Sequence, residues 1–467
     1  MHDVVGLGDP VLDIVARVDH ELLQKVGAEP GGCLPVSAEE MARLLAMPEL
    51  RSNMMRIPGG SAANVLKGLA SLASSSSSSS SISTSASSSI RSLSVAFVGM
   101  VGADEVGREY RRSIAAHGVD PLLLESSSGA ATATCLCLVT PDGQRTMRTA
   151  LCAALELNTP QQLPPELTPP SASGAGNDGD GGGGGGGGGL ALLHAEGYCL
   201  YRVHVAAAAM RAARARGAKL SLDLASFEVV ANCWAALCSL LQERLVDIVF
   251  CNEQEAAALC QAASVQLPPG ASGQQVVAAA QDYLLRQGVG TVIISRGGKG
   301  CSAKSGTPVT LPVLLVTHSG CFALLRSVGP GLPSTCRYAS TSGSRIASCC
   351  AAADGVTAVC AASSVAVVDT VGAGDYFTSG CLLGLLSGAS LAACTACGCA
   401  AGTAAVQTAG AELEAQALRQ LRVRIAGILA ADGAAGGKAH GPAAGDAAVG
   451  DCTSSLQRLR EQEALAA

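Results

Sequence analysis

The sequence predicts an α/β fold, in which a mostly parallel central sheet is covered by helices on both faces and carries a small β lid. Between residues 190 and 295, short apolar strands alternate with amphipathic helices, a rhythm typical of parallel sheets. Two apolar segments flank the turn Pro141-Asp-Gly143, a hairpin signal that lies outside this rhythm. We therefore expect one large three-layer α-β-α domain with an antiparallel appendage.

Periodicity and turn residues predict each element in order. The first half is expected to contain a strand within 4–18 that leads into a turn, helices at 39–45, 62–73 and 105–117, a strand at 94–101, and hairpin strands at 134–140 and 144–149. The alternating series then predicts strands at 190–193, 219–224, 247–251 and 291–295, with helices at 203–216, 231–243, 253–262 and 274–287.

Three low-complexity segments interrupt these elements. Residues 74–92 are nearly all Ser, 171–189 are rich in Gly, Pro and Ser, and 313–362 lack clean periodicity. Because all three fall between predicted elements, we interpret them as unstructured loops inserted into one domain that spans residues 1–430. The remaining residues, 431–467, are predicted to form a disordered tail.

Composition narrows the possible partners and the compartment. The 31 Lys+Arg against 37 Asp+Glu give a net charge of −6, and no stretch is dense in basic residues, so we expect no nucleic-acid partner. The start of the chain does not resemble a secretory signal peptide, which favours the cytoplasm and free thiols for the 20 Cys. Cys394-x-x-Cys397-x-Cys399 has no second pair and no neighbouring His, so we interpret these residues as buried helix residues rather than zinc ligands.

Residues 381–409 carry no formal charge and could be mistaken for a membrane span. Ser387-Gly-Ala-Ser390 breaks the segment, which is rich in Ala, Gly, Cys and Thr rather than Leu or Ile. We therefore predict two buried helices joined by a turn, and no membrane partner.

The segment Asp369-Thr-Val-Gly-Ala-Gly-Asp375 carries the clearest chemical signal. Its small residues precede a helix predicted to begin near Tyr376, and such a turn lets backbone N–H groups point inward as an anion-binding nest. Asp375 would then lie beside a bound phosphoryl group and could accept the proton of an acceptor hydroxyl. Taken alone, a glycine-rich turn with Asp375 capping the helix explains the segment equally well.

Four other segments appear in order with this one: Gly6-Leu-Gly-Asp-Pro-Val-Leu-Asp13, Gly59-Gly-Ser-Ala-Ala-Asn64, Asn252-Glu-Gln-Glu255 and Ser295-Arg-Gly-Gly-Lys-Gly300. Together the five resemble the signatures of the ribokinase-like (PfkB) carbohydrate and nucleoside kinases, and the opening strand is nearest to the adenosine-kinase-like branch. The resemblance covers residues 4–410. Two positions depart from it: Asp9 replaces a frequent Asn, and Ser295 replaces the usual Thr.

The resemblance implies a catalytic role for the last segment and a substrate-binding role for the first two. Asp375 would be the general base, and the amides of Gly372, Ala373 and Gly374 would form an anion hole. Substrate hydroxyls would be bound by Asp13, Gly59, Gly60 and Asn64. On the residues alone, Asp13 could instead cap a turn.

The resemblance also implies where ATP and Mg²⁺ bind. The residues expected along the nucleotide are Asn252, Ser295, Gly297, Gly300 and Thr370. Glu255 would hold Mg²⁺ through water, together with Asn252, although both residues could simply cap the following helix. Arg148 could reach phosphate or substrate, or be solvated, and His194 and His204 are expected to be ordinary polar residues.

The resemblance therefore implies a ribokinase-like fold and transfer of the ATP γ-phosphoryl group to a primary alcohol of a sugar or nucleoside. The opening strand favours a nucleoside, whereas the 3% aromatic content offers little to stack on a base and favours a sugar. The alternative is a catalytically inactive relative that uses the fold for binding or assembly. Both a monomer and a homodimer are compatible with such a family.

Overall fold

The structure, a computed structural model, describes residues 2–26, 33–51, 54–74, 92–141, 145–169, 189–306, 335–338, 347–352, 355–408, 410 and 412–437. The turn residues 142–144, most of the Ser-rich and Gly-rich segments, and residues 307–334, 339–346 and 438–467 lie outside the described residues.

The β-strands, numbered in chain order, are β1 Val4–Leu7, β2 Val11–Arg17, β3 Cys33–Pro35, β4 Met54–Gly59, β5 Val95–Val101, β6 Val119–Glu125, β7 Ala133–Val139, β8 Arg145–Ala150, β9 Leu192–Glu196, β10 Lys219–Asp223, β11 Ile248–Asn252, β12 Thr291–Ser295, β13 Cys301–Ser305, β14 Thr335–Tyr338, β15 Ala347–Ala352 and β16 Gly355–Cys360. The α-helices are α1 His20–Lys25, α2 Ala38–Ala46, α3 Pro48–Arg51, α4 Ser61–Ala73, α5 Glu105–Ala116, α6 Val203–Ala215, α7 Phe227–Asn232, α8 Trp234–Gln242, α9 Glu253–Ala262, α10 Gly273–Arg286, α11 Ala373–Leu386, α12 Leu391–Ala405 and α13 Ala415–Gly437.

A large central sheet has the strand order β14-β15-β16-β13-β12-β11-β10-β9-β1-β5-β6. The run β12-β11-β10-β9-β1-β5-β6 is parallel throughout, and β13 pairs with β12 in antiparallel orientation. Helices α6–α10 cover one face over one apolar core, and helices α4, α5 and α11–α13 cover the other over a second core. The predicted three-layer α-β-α arrangement is confirmed.

A second, smaller sheet has the order β3-β8-β7-β2-β4 and forms the predicted lid. It is mixed rather than antiparallel throughout, because β2 pairs with β7 and β3 with β8 in parallel. The antiparallel pair β7–β8 is the hairpin expected around Pro141. The lid has its own core, which includes Leu12, Leu136 and Met41. The single strand expected within residues 4–18 is instead divided into two strands. Strand β1 ends at Leu7 in the central sheet and β2 begins at Val11 in the lid, so this segment connects the two sheets.

The prediction of an unstructured loop at 313–362 is wrong for its final part. Strand β16 pairs with β13, and β15 pairs with β16, so backbone hydrogen bonds extend the central sheet by an antiparallel edge. Ala358 and Cys360 are buried while Val359 is 41% exposed. The strand therefore alternates, but small Ala and Cys residues give little hydrophobic contrast by which to recognise it.

Two other boundaries differ from the sequence prediction. The helix expected at 231–243 is divided into α7 and α8. Helix α13 continues past position 431, where the sequence predicts a disordered tail, and its buried Leu421, Ile425 and Leu429 attach it to the core. Helices α11 and α12 are the two buried helices predicted for 381–409. Across the described ranges, no helix is long and apolar enough to cross a membrane.

Helices α4 and α11 approach each other closely through small residues. The Ser379 hydroxyl lies 2.8 Å from the carbonyl oxygen of Val65 on α4 and 2.7 Å from that of Asp375 on α11. Gly68 faces this hydroxyl, and a Cβ at position 68 would overlap it. Glycine at position 68 is therefore what allows the two helices to come this close.

Replacement of Gly68 by Ala is expected to destabilise the protein by about 1–3 kcal/mol, because the added methyl group forces the two helices apart. Gly427→Ala is the matched control, since Gly427 lies in α13 with open space around it and Ala improves helix propensity there by about 1 kcal/mol. Thermal unfolding should show a lower Tm for the first variant and an unchanged or higher Tm for the second. Similar Tm values for the two variants would contradict the close helix contact.

Candidate active site

The carboxyl ends of four neighbouring parallel strands bring polar side chains together at one edge of the central sheet. Glu196 ends β9 and is in register with Asp223 at the end of β10, while Asn252 at the end of β11 is in register with Ser295 at the end of β12. Ligands of open α/β sheets bind at this edge, because the loops and helix N-termini that can hold them converge there. The α11 N-terminus contributes Asp375 to the same region.

Asp375 lies in the first turn of α11, after a turn held by Asp369. Gly372 is the N-terminal cap of the helix and adopts a φ of 71°, in the left-handed region that glycine tolerates. The Asp369 carboxylate accepts hydrogen bonds of 3.0 Å from the backbone N–H groups of Val371 and Gly410. This fixes the glycine turn at the positive end of the α11 dipole, as an anion site requires.

Two side chains from the first turns of α4 hold the carboxylate of Asp375. Ser61 Oγ donates to Oδ1 and Asn64 Nδ2 donates to Oδ2, each at 3.1 Å. Burial raises the pKa of Asp375 to about 7, opposed by the hydrogen bond from Asn64 and reinforced by the nearby charge of Asp223. A carboxyl group with this pKa exchanges protons readily near neutral pH, as a general base must.

A cavity of about 150 Å³ lies in front of Asp375. Its lining includes Ser61, Asp223, Asn252, Glu255 and Gly374. Burial raises the pKa of both Asp223 and Glu255, and the charge of Asp223 raises that of Glu255 further. Carboxyl groups gathered in this way are chemically suited to a divalent cation, which would offset their mutual repulsion.

Asn252 and Glu255 form a reciprocal cap on α9 and also line the cavity. Asn252 Oδ1 accepts from the backbone N–H of Glu255 at 2.9 Å, and Glu255 Oε2 accepts from the N–H of Asn252 at the same distance. The alternative interpretation, that these two residues cap the following helix, is therefore confirmed. No group of three or more His, Cys, Asp or Glu side chains in the described ranges could ligate a metal directly. This donor set fits Mg²⁺ that keeps several of its waters.

A second cavity, of about 690 Å³, adjoins the first. Ser295, Gly374 and Phe377 line both. Four of the residues expected along a nucleotide line the larger cavity, namely Ser295, Gly297, Gly300 and Thr370. Gly300 has a φ of 88°, and a Cβ there would overlap the carbonyl oxygen of Cys360 on β16. Residues 361–365, which directly follow the strand that the sequence does not predict, line this cavity.

The residues expected to bind substrate hydroxyls lie together between the lid and α4. Gly59 is packed so closely on the Asp13 carboxylate that a Cβ would overlap Oδ2. Gly60 has a φ of 93° and caps α4 beside the carbonyl oxygen of Asp9. Asn64 Nδ2 contacts Asp375, whereas its buried Oδ1 has no hydrogen-bond partner within the described part of the chain.

Comparison with known proteins identifies the family. The sequence profile of the pfkB family carbohydrate kinases matches residues 42–169, 192–313 and 339–417, well over half of the chain. The chain belongs to the pfkB family of carbohydrate kinases. It is therefore a kinase, as the five ordered segments predict. A search of curated proteins finds no match to it.

Several solved structures share the fold at low sequence identity. A probable sugar kinase from Rhizobium etli is 21% identical with a TM-score of 0.64, covering 91% of this chain and 99% of its own. Adenosine kinase from Sinorhizobium meliloti is 23% identical with a TM-score of 0.62, covering 90% and 98%. Adenosine kinase from Anopheles gambiae, in complex with P1,P4-di(adenosine-5) tetraphosphate, is 22% identical with a TM-score of 0.59, covering 87% and 96%.

Several polar residues of this pfkB kinase lack a sequence signal or have an ambiguous one. Asp223 is a lone strand-terminal carboxylate, which could be suspected only from its place at the carboxyl edge of the sheet. Lys67 is buried on α4 and donates to the carbonyl oxygen of Pro58 at 2.7 Å and to Glu412 at 3.2 Å. Arg148 is buried and donates to the carbonyl oxygen of Met147, so the solvated alternative is wrong.

Neither histidine considered above lines the two cavities. His194 is a fully buried residue of β9 with its Nδ1 2.9 Å from Ser221 Oγ on β10, and burial lowers its pKa to about 4. His204 is exposed, with its Nε2 2.6 Å from the carbonyl oxygen of Asn158. Cys394 and Cys397 are fully buried on α12.

The expectation that Asp375 is the general base predicts a pH dependence of the kinase activity. A base is active when deprotonated, so a pKa raised to about 7 predicts that kcat/KM falls by about tenfold per pH unit below that value and is constant above it. Ser61→Ala removes a donor that stabilises the carboxylate, so its rising limb should shift to higher pH. A wild-type kcat/KM that is flat between about pH 5 and 8 would contradict the assignment.

Proposed function

We propose that this kinase transfers the γ-phosphoryl group of ATP to a primary alcohol group of a sugar or nucleoside. The observation that carries the proposal is the environment of Asp375. Its carboxylate is held by Ser61 and Asn64, and it faces a cavity that shares Gly374 with the larger nucleotide-sized cavity. An acceptor on the lid side and phosphates on the sheet side would meet at this carboxylate.

In the proposed reaction, Asp375 accepts the proton of the acceptor hydroxyl as its oxygen attacks phosphorus. The two donors on α4 restrict the carboxylate to one orientation, which lowers the entropic cost of reaching the reactive geometry. The pKa of about 7 makes proton acceptance favourable without requiring alkaline conditions.

The first turn of α11 would stabilise the negative charge that spreads over the transferred group. The backbone amides of Gly372, Ala373 and Gly374 lie at the positive end of this helix, although the N–H of Ala373 also makes a long hydrogen bond of 3.4 Å to the carbonyl oxygen of Thr370. Magnesium would neutralise part of the phosphate charge. Glu255 and Asn252 would hold it through water, with Asp223 beside them.

The larger cavity is the proposed nucleotide site. Ser295, Gly297, Gly300 and Thr370 line it, and the glycines allow a ligand to approach the backbone closely. Asn252 is instead proposed to lie nearer the phosphates, because it lines the smaller cavity.

The acceptor is proposed to lie on Asp13, Gly59, Gly60 and Asn64. A carboxylate and an amide oxygen can together accept hydrogen bonds from neighbouring hydroxyls, and the unpartnered Oδ1 of Asn64 is available for this role. Adenosine is the first acceptor to test, because two of the similar solved structures are adenosine kinases.

Replacement of Asp375 by Asn is expected to reduce turnover by about 10²–10⁴-fold while acceptor binding is largely retained, because the amide cannot accept the proton. Asp282→Asn is the matched control, since Asp282 pairs with Lys304 on the other face of the sheet. Turnover is followed as ATP consumption with adenosine, other nucleosides and a panel of sugars.

Near-normal turnover in the Asp375→Asn variant would contradict the proposed mechanism. Absence of turnover by the wild-type protein with every acceptor would instead contradict the proposed acceptor class.

A further inference from the structure

Glu196 is a buried carboxylate that connects two separate parts of the site. It is 1% exposed at the end of β9. Its Oε1 accepts from the backbone N–H of Asp9 at 2.7 Å, and its Oε2 accepts from the backbone N–H of Ala62 at 2.8 Å. Asp9 lies where the chain crosses from the central sheet into the lid, and Ala62 lies in the first turn of α4.

The surrounding backbone is shaped to receive this carboxyl group. Gly8 precedes the crossing into the lid, and a Cβ added there would lie 2.8 Å from the carboxyl carbon of Glu196. The carbonyl oxygen of Asp9 in turn lies against Gly60, where it would overlap an added Cβ, and the φ of 93° at Gly60 is one that glycine tolerates. The carboxylate, the crossing strand and the Gly59–Gly60 turn therefore form one tightly packed unit.

Burial of the negative charge of Glu196 is energetically unfavourable. Within the described part of the chain, one cation, Arg202, acts on both Glu196 and Asp9, and it forms an ion pair with Asp9. Burial raises the pKa of Glu196, and the neighbouring charge of Asp9 raises it further. Two buried carboxyl groups against one guanidinium contribute poorly to stability, so stability alone does not account for a carboxylate at this place.

We propose that Glu196 is a positioning residue for phosphoryl transfer, which aligns the acceptor-binding lid strand with the α4 turn that holds the catalytic base. One oxygen fixes the start of β2, which carries Asp13 four residues after Asp9. The other fixes the turn that carries Ser61 and Asn64, the two donors to Asp375. The inference rests on the proposed function of Asp375 and concerns a residue that does not itself touch the reacting atoms.

Glu196→Gln is the most direct test. A glutamine has one acceptor oxygen and one NH₂ group. It can therefore accept a hydrogen bond from only one of the two backbone N–H groups, and its NH₂ group faces the other N–H, donor against donor. We expect the kcat of the variant to fall by roughly tenfold to a hundredfold. The KM for the acceptor should rise, whereas the KM for ATP should stay within about threefold, because the contacts that are lost lie on the acceptor side.

Two further variants separate positioning from a general loss of structure. Glu156→Gln is the matched control: this carboxylate also accepts two hydrogen bonds, but from the hydroxyls of Ser126 and Ser128, away from α4 and the crossing strand. Ser61→Ala completes a double-mutant cycle with Glu196→Gln. If Glu196 acts through the donors to Asp375, the two effects on kcat are less than additive.

Amide hydrogen exchange in the wild-type protein tests the contact independently of turnover. Ala62 lies in the first turn of α4, where a backbone N–H has no intrahelical acceptor. Slow exchange at Ala62 therefore reports the bond to Glu196 directly, and this measurement applies even if Glu196→Gln does not fold. Fast exchange at Ala62 would overturn the proposal.

The outcomes distinguish this proposal from that of the catalytic base. A wild-type protein that phosphorylates an acceptor, with a kcat loss in Glu196→Gln that is coupled to Ser61, supports both. Additive effects, a KM for ATP that rises as much as that for the acceptor, or losses equal to those of Glu156→Gln overturn the positioning role alone. If the wild-type protein phosphorylates no acceptor, the proposed function fails and the exchange rate of Ala62 decides whether Glu196 holds the turn.

Discussion

The close contact between α4 and α11 is the constraint on which the site depends. Gly68 and Ser379 let the two helices touch, and the contact brings the first turns of both helices to the same edge of the sheet. The donors Ser61 and Asn64 can reach Asp375 only because their helix lies this near. A larger residue at position 68 would thus disturb the hydrogen bonds to Asp375 as well as stability, although it contacts neither donor.

The electrostatics of the site follow from this geometry and from burial. Asp223, Glu255 and Asp375 line one small cavity, and the pKa of each is raised. Mutual repulsion and loss of water both favour the neutral acids, while the α4 donors favour the ionised form of Asp375 alone. The same environment that suits Asp375 to proton transfer therefore also suits its neighbours to sharing a hydrated cation.

The sequence predicts much of this arrangement because the relevant signals are local. The turn before Asp375, the cap formed by Asn252 and the alternation of strands and helices can each be recognised in short windows. Glu196 and Asp223 cannot, because a lone carboxylate at a strand end acquires its meaning only from neighbouring strands. Strand β16 is missed for a related reason: its small residues give little periodic contrast, and pairing with β13 is what defines it.

The proposed mechanism depends most directly on the ionisation of Asp375 in the folded protein. A titration of carboxyl ¹³C resonances by NMR, with Asp375→Asn used to assign the signal, measures this pKa without relying on any substrate. We expect a midpoint of about 7, because burial and the charge of Asp223 raise the pKa. A midpoint of about 4, the ordinary value for an aspartate in water, would contradict the role of Asp375 as the base.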